Sequence, residues 1–282
     1  VKNLIYQYWD TMGKTRTEWT GAHSSHRNIK AYADRIGADY LVEIDPPHLH
    51  NLIYALYYGS CNPIFREEFH EYDNVVVLDS DIYAVEGLDE SIFDGFDADI
   101  GLCLEPLQPT IRATTRVGKI TRHQDELWAR HVEKKWNITL PRTPEGLLKV
   151  YNAGVMLYSN RGMIAAKESF PPFDEYINYV LSIKGLLPFY AADQNYLHTA
   201  LFAAQTDFVE LDAGWNEFVT FYERDVNRVL YNRTENTKLV HIQFRKGELE
   251  HHNLTDKQSW MITNLPVDEW DGDCVHVDGL PG

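Results

Sequence analysis

The sequence predicts an α/β fold: a mostly parallel central sheet with helices on both faces. Two observations carry this. The run Val75-Val76-Val77-Leu78 is apolar without alternation and mostly β-branched, the pattern of a short strand buried on both faces. Ahead of it, strand-like and helix-like segments alternate as β-α-β-α-β, an order that calls for parallel strands joined by crossovers.

Leu4 to Trp9 reads as the first strand. Residues 21 to 36 place Ile29, Ala33 and Ile36 at helical spacing, with Gly37 as a stop. Ala38 to Ile44 is a second strand, ended by Asp45-Pro46-Pro47. Asn51 to Phe69 is helical with expected interruptions at Gly59 and Pro63. After the central strand, 86 to 96 reads as a short helix with turns, and Asp99 to Leu104 as a strand. Residues 106 to 120 lack apolar periodicity and read as a mobile loop. Residues 121 to 135 form a charged surface helix, and Thr139 to Gly146 a connector. Val150 to Tyr158 is a strand; 160 to 169, 173 to 184 and Asp193 to Ala204 are helical. Phe208 to Leu211 and Leu239 to Phe244 are late strands. From 255 the chain is polar and patternless. No repeat or Ser/Gly linker appears, so the expected organisation is one domain over 1–254 with a tail over 255–282.

Composition narrows the function. The net charge of −16 disfavours nucleic acid and anionic lipid as partners. No run of about 18 apolar residues offers a membrane span. No signal peptide is expected from the first residues. Cys61, Cys103 and Cys274 are odd in number and form no Cys-x-x-Cys, which fits reduced thiols and a cytoplasmic setting. The sequons at Asn137, Asn232 and Asn253 are read as chance.

Asp79 and Asp81 follow the buried strand directly, at the end of the sheet where ligands bind in open α/β folds. Two carboxylates so close repel unless a cation or proton lies between them. Hard oxygen ligands favour Mg²⁺ or Mn²⁺, and such ions carry substrate phosphates. A solvated turn is the plainer reading of the same residues. His241, inside Leu239-Val240-His241-Ile242, adds an imidazole that suits Mn²⁺ better than Mg²⁺, although a lone strand histidine is more often a core residue. Arg245 and Lys246 stand where a leaving diphosphate needs positive charge, or at an exposed loop end. Asp193 and Gln194 stand at a loop-to-helix junction, suited to orienting a sugar or to capping the helix. Asn152-Ala153-Gly154 marks a close approach or a bulge. Tyr6, Tyr8 and Trp9 alternate near a strand end, suited to stacking on a nucleobase or to ordinary core packing. His23, His26, His251 and His252 show no metal spacing and read as surface residues.

Five pieces then fall in one order: Val75 to Asp81, Tyr151-Asn152-Ala153-Gly154-Val155-Met156-Leu157, Asp193-Gln194-Asn195, Trp215-Asn216, and His241. In this the chain resembles the GT-A glycosyltransferases, most closely the retaining enzymes of glycosyltransferase family 8, such as glycogenin and the lipopolysaccharide galactosyl- and glucosyltransferases. The resemblance implies a single Rossmann-like GT-A domain. It also implies a hexose moved from a nucleotide sugar, in the simplest case a UDP-sugar, to a hydroxyl of a glycan or glycoconjugate with retention. Mn²⁺, or Mg²⁺, would be held by Asp79, Asp81 and His241. Asp79, Ser80 and Asp81 would touch the donor, Asp193 and Gln194 its sugar, Asn152 donor or acceptor. The base would lie by Tyr6 and Tyr8, with Asp45 a weaker candidate. The family closes with a His, a Gly and a Lys-Pro-Trp; here His241 is followed by Arg245 and Lys246 without Pro-Trp, leaving the diphosphate's cation open between the two. A sugar-nucleotide nucleotidyltransferase, a haloacid-dehalogenase-type phosphatase and a non-catalytic sugar-binding module remain alternatives. The first lacks its Gly-rich phosphate loop in Thr11 to Arg16, and the second would want its Asp-x-Asp on the first strand.

Overall fold

The computed structural model describes residues 1–10, 20–45, 52–105, 111–115, 118–222, 225–231, 234–243 and 253–265. The fold is α/β with a mixed, mostly parallel central sheet. In chain order its first elements are β1 (Asn3–Trp9), α1 (Thr20–Ile36), β2 (Asp39–Ile44), α2 (Leu52–Phe65), β3 (Asn74–Leu78), β4 (Ile82–Ala84) and β5 (Ile100–Leu104). Then come β6 (Ile111–Thr115), β7 (Gly118–Thr121), α3 (Arg122–Trp136), β8 (Tyr151–Ser159), α4 (Asn160–Ser169), α5 (Phe173–Leu181) and α6 (Asp193–Ala203). The last are β9 (Phe208–Leu211), β10 (Glu217–Tyr222), β11 (Asp225–Tyr231), β12 (Leu239–Gln243) and α7 (Asp256–Asn264). Six strands run in the order β2-β1-β3-β8-β5-β9, and four in the order β11-β10-β12-β4. β1 pairs parallel with β2 and β5 parallel with β9, whereas β5 and β8 are antiparallel. Val75 to Leu78 are all buried, as an unalternating apolar run requires. Each such side chain contributes about 1.5–3 kcal/mol on burial.

The chain divides into two compact units, with the division falling inside β3. One holds 48–75 and 97–211. In it α3 departs from a purely surface helix: Trp128, Ala129 and Val132 form an inward stripe with Asp125. Thr121 caps it by accepting from Gln124 N–H, and Asn137 closes it at φ +53°. Its buried polar atoms are chained: the Trp128 indole donates to Tyr176, Tyr176 to the Tyr190 carbonyl, and the Tyr190 hydroxyl to Asp125. α2 runs unbroken through Gly59 and keeps Pro63 inside its last turn. Packing on α4 and α6 outweighs the one hydrogen bond that proline removes there. β6 and β7 pair antiparallel where a loop was expected; Ile111, Thr114, Thr115, Ile120 and Thr121 are β-branched and suit strands without apolar alternation. Residues 106–110 and 116–117 of that stretch lie outside the described residues.

The other unit holds 2–47, 76–96 and 212–282. Here 86 to 96 forms turns rather than a helix, because Gly87 and Gly95 stand at φ +74° and +71°. Tyr83, Val219, Val240, Ile242, Leu254 and Ile262 form one apolar cluster. Ile262 comes from α7, inside a stretch that reads as patternless. The helix is specified by a capping box in which Thr255 and Gln258 exchange side-chain and backbone bonds. Among the described residues no helix is long and apolar enough to cross a membrane.

Gly162, in the first turn of α4, has no room for a side chain: a Cβ there would overlap the backbone carbonyl of Asp99. We expect Gly162→Ala to lower stability by about 1–3 kcal/mol, read as a fall in Tm. An unchanged Tm would mean that the carbonyl moves aside without cost.

Candidate active site

The Asp79-Ser80-Asp81 turn links β3 to β4 and closes with Ile82 N–H on the Asp79 carbonyl at 3.1 Å. β12 lies antiparallel beside β4, and Ile242 N–H donates to the Asp81 carbonyl at 2.9 Å. That register brings His241 to the two carboxylates. Its Nε2 lies 3.1 Å from Asp81 Oδ1 and 3.8 Å from Asp79 Oδ2. One ligand atom from each of the three residues falls within 4.8 Å of the others, so Asp79, Asp81 and His241 form a group able to hold a metal ion.

The imidazole is buried and set from both sides. Phe218, opposite it in the parallel β10–β12 pairing, stacks on the ring with centroids 4.9 Å apart. Its Nδ1 lies 3.0 Å from Asn216 Oδ1. An amide oxygen only accepts, so Nδ1 carries the hydrogen and Nε2 keeps its lone pair. Gln243 Nε2 donates to that lone pair at 3.1 Å. An unprotonated nitrogen facing a carboxylate, with a second carboxylate adjacent, is unfavourable unless a cation or a proton joins them. Two oxygens and one imidazole nitrogen are donors that Mn²⁺ accepts. The Asp79 side chain is 48% exposed against 13% for Asp81, so a ligand reaches the group past Asp79. The fit to a divalent cation is therefore good.

Around this group the expected ligand residues are placed variously. Ser80 Oγ donates to the Tyr8 carbonyl and meets His26 Nε2, both at 3.0 Å. His26 is thus a buried partner of the turn and not a surface residue; His23 is exposed. Tyr6 is fully buried with its hydroxyl on Glu43 at 2.7 Å, which places it in the core. Tyr8 is half-buried, its hydroxyl 3.3 Å from Asp10. Asp45, exposed at φ +49°, donates its N–H to the Trp9 carbonyl. Arg245 and Lys246 lie outside the described residues.

A second polar group lies in the unit that holds β8 and α6. The β5–β8 register opposes Met156 to Leu102 but Asn152 to Cys103, leaving Ala153, Gly154 and Val155 as a bulge. The Asn152 side chain supports the bulge by accepting from Gly154 N–H at 2.8 Å. Its amide donates to Gln194 Oε1 at 3.2 Å, and Ala153 N–H reaches the same oxygen at 3.4 Å. With Oε1 so held, Gln194 Nε2 has no hydrogen-bond partner among the described residues, although it is buried. Asn195 Oδ1 is in the same state. Asp193 begins α6 but is not its N-cap, which is Ala192. Its buried carboxylate accepts from Ser60, and burial pushes its pKa up against the opposing effect of Ser60 and the helix's first N–H groups.

No protein-family model matches the chain, and no curated protein does. Among solved structures it is similar to a glycosyltransferase involved in the glycosylation of the major capsid of PBCV-1, at 13% identity and a TM-score of 0.46 over 86% of this chain and 92% of that one. It is also similar to mouse xyloside xylosyltransferase 1, apo form, at 16% and 0.43 over 86% and 97%. A third likeness is to the glycosyltransferase GlyE of Streptococcus pneumoniae TIGR4, at 15% and 0.36 over 76% of this chain, which spans 47% of GlyE. All three scores lie below 0.5, so the functional reading rests on the residues above and not on these likenesses.

Glu217, next to Asn216, is buried with Oε2 unpartnered among the described residues. Burial, with Asp212 nearby, pushes its pKa from 4.5 to about 7. Unfolded, it loses its proton near 4.5; folded, it keeps it to about 7. The folded form binds more protons in that window, so this carboxyl makes stability fall as pH rises through it and level off above. The Tm of Glu217→Gln should therefore gain on wild type from pH 4.5 to about 7 and stay parallel beyond. A difference independent of pH would mean that the carboxylate is solvated.

Proposed function

We propose that the chain is a metal-dependent GT-A glycosyltransferase. It transfers a hexose from a nucleotide sugar, in the simplest case UDP-linked, to a hydroxyl of a glycan or glycoconjugate with retention. The observation that carries this is the apposition of Asp79, Asp81 and His241 at the end of a buried strand, with Nε2 of His241 beside both carboxylates. Retention and donor type come from the resemblance in the motif order. In the reaction the anomeric carbon–phosphate oxygen bond breaks and a bond to the acceptor oxygen forms. The hydroxyl proton is released, and the nucleoside diphosphate departs.

Asp79, Asp81 and His241 would hold Mn²⁺ or Mg²⁺. Such an ion, when bound, neutralises the leaving diphosphate as a Lewis acid. Asn216 and Phe218 keep the imidazole aimed and in one tautomer. Gln194 offers its unpartnered amide to a sugar hydroxyl, while Asn152 holds the opposite end of that amide. Asp193, bonded to Ser60, positions the first turn of α6 from which Gln194 projects. Lys246 or Arg245 would counter the diphosphate's charge. A chain that only binds sugar needs no such metal group, and the assay below separates the two.

Nucleotide sugars are screened for hydrolysis and transfer with Mn²⁺, with chelator, and with chelator followed by Mn²⁺. Activity should vanish on chelation and return with the metal. Asp81→Asn should lose at least about a hundredfold in turnover while its apo Tm stays near wild type, because metal catalysis depends on that charge. Full activity in chelator would refute the proposal.

Gln194→Leu tests the second group. Donor affinity should stay within about tenfold, roughly 1.4 kcal/mol. The kcat should fall by about a hundredfold, the scale of a removed catalytic group. A loss of donor affinity with kcat unchanged would assign Gln194 to uniform binding instead.

A further inference from the structure

The carboxylates at Asp79 and Asp81 sit on a turn whose backbone is gripped by side chains from elsewhere in its unit. Gln7, fully buried on β1, donates both amide hydrogens: one to the Asp79 carbonyl and one to Ser25 Oγ, each at 3.0 Å. Its oxygen accepts from the Tyr40 hydroxyl at 2.8 Å, so the amide cannot flip without losing all three bonds. Ser25, fully buried on α1, passes its own hydrogen to the Ile82 carbonyl at 2.6 Å. One residue on, His26 reaches Ser80. The Ser80 hydroxyl has one hydrogen and directs it to the Tyr8 carbonyl, so His26 Nε2 must be the donor between them. Burial, with His23 and Arg27 nearby, keeps His26 neutral by pushing its pKa down to about 4.

Three points along the turn and its exit, at Asp79, Ser80 and Ile82, are therefore each tied to a buried polar side chain of β1 or α1. Apolar side chains at Gln7 and Ser25 would leave the Asp79 and Ile82 carbonyls without these donors, so the bonds serve stability as well as geometry. What the polar groups add is direction: each bond fixes one backbone or side-chain oxygen of the turn that carries the metal ligands. We infer that Gln7, Ser25 and His26 are positioning residues that aim Asp79 and Asp81 at His241, and so set metal affinity. The inference rests on the metal reading of Asp79, Asp81 and His241. Asn28 supplies the contrast. It pairs with the backbone of Ala84, bonding both its N–H and its carbonyl, beyond the turn and on the far side of β4 in sequence.

The test is binding of Mn²⁺ alone to the intact chain, followed by electron paramagnetic resonance, with the apo Tm recorded for each variant. Gln7→Met keeps volume and loses the grip on Asp79; its Mn²⁺ dissociation constant should rise about tenfold or more, the scale for outer partners of metal ligands. His26→Leu should do the same, while His26→Gln, which keeps a donor toward Ser80, should restore affinity to within about threefold of wild type. The His26 pair decides the matter if Gln7→Met does not fold. Asn28→Ala should lower Tm yet leave Mn²⁺ affinity unchanged. Wild-type Mn²⁺ affinity in Gln7→Met, or in His26→Leu, overturns this inference and leaves the metal site standing. Affinity that tracks Tm across all variants, Asn28→Ala included, overturns it as mere stability. Absence of Mn²⁺ binding by the wild type overturns the metal reading and the inference together.

Discussion

Everything proposed for this protein depends on one constraint: two carboxylates and an unprotonated imidazole nitrogen held within 4.8 Å of each other. Left alone, three lone-pair carriers at that spacing repel. The fold accepts this because each is tethered by bonds made elsewhere. Asp79 and Asp81 ride on a turn closed by its own hydrogen bond and paired to β12. His241 is clasped between Asn216 and Phe218. A group kept in place against its own repulsion is arranged to take up a cation once the Gln243 amide yields the Nε2 lone pair.

The two units handle buried polarity differently. Around Asp79 the polar side chains point at the turn and hold backbone oxygens. In the unit with β8 and α6, the polar groups are mostly satisfied among themselves: Trp128, Tyr176, Tyr190 and Asp125 form one chain, Asp193 and Ser60 another pair. Against that background the spare donor of Gln194 and the spare acceptor of Asn195 stand out, since buried polar atoms are rarely left unpaired.

The long periodic helices and the apolar strands were legible, because their patterns follow from burying one face or two. The errors have local causes. β10 and β11 were missed because neither Glu217 to Tyr222 nor Asp225 to Tyr231 keeps an apolar alternation; they are strands through pairing with neighbours. The turns at 86 to 96 follow from two glycines at positive φ, which composition does not place. α7 had a signal that was overlooked, the Thr255-x-x-Gln258 box. His26 could not be recognised, because its partner Ser80 is distant in sequence and a lone histidine in a helix has no pattern of its own.

The sequence by itself determined the buried strand that ends on Asp79 and Asp81 and the α/β alternation around it, since burial pattern is written in the order of residue types. It also put His241 forward as a candidate third ligand, through the resemblance in the order of motifs. Only the tertiary structure decided which nitrogen of His241 faces the carboxylates, that Tyr6 belongs to the core, and that Gln7, Ser25 and His26 converge on one turn. Those are matters of register and of hydrogen bonds between residues far apart in the chain. Such contacts carry no periodicity, and they exist only once β4, β12 and α1 have packed.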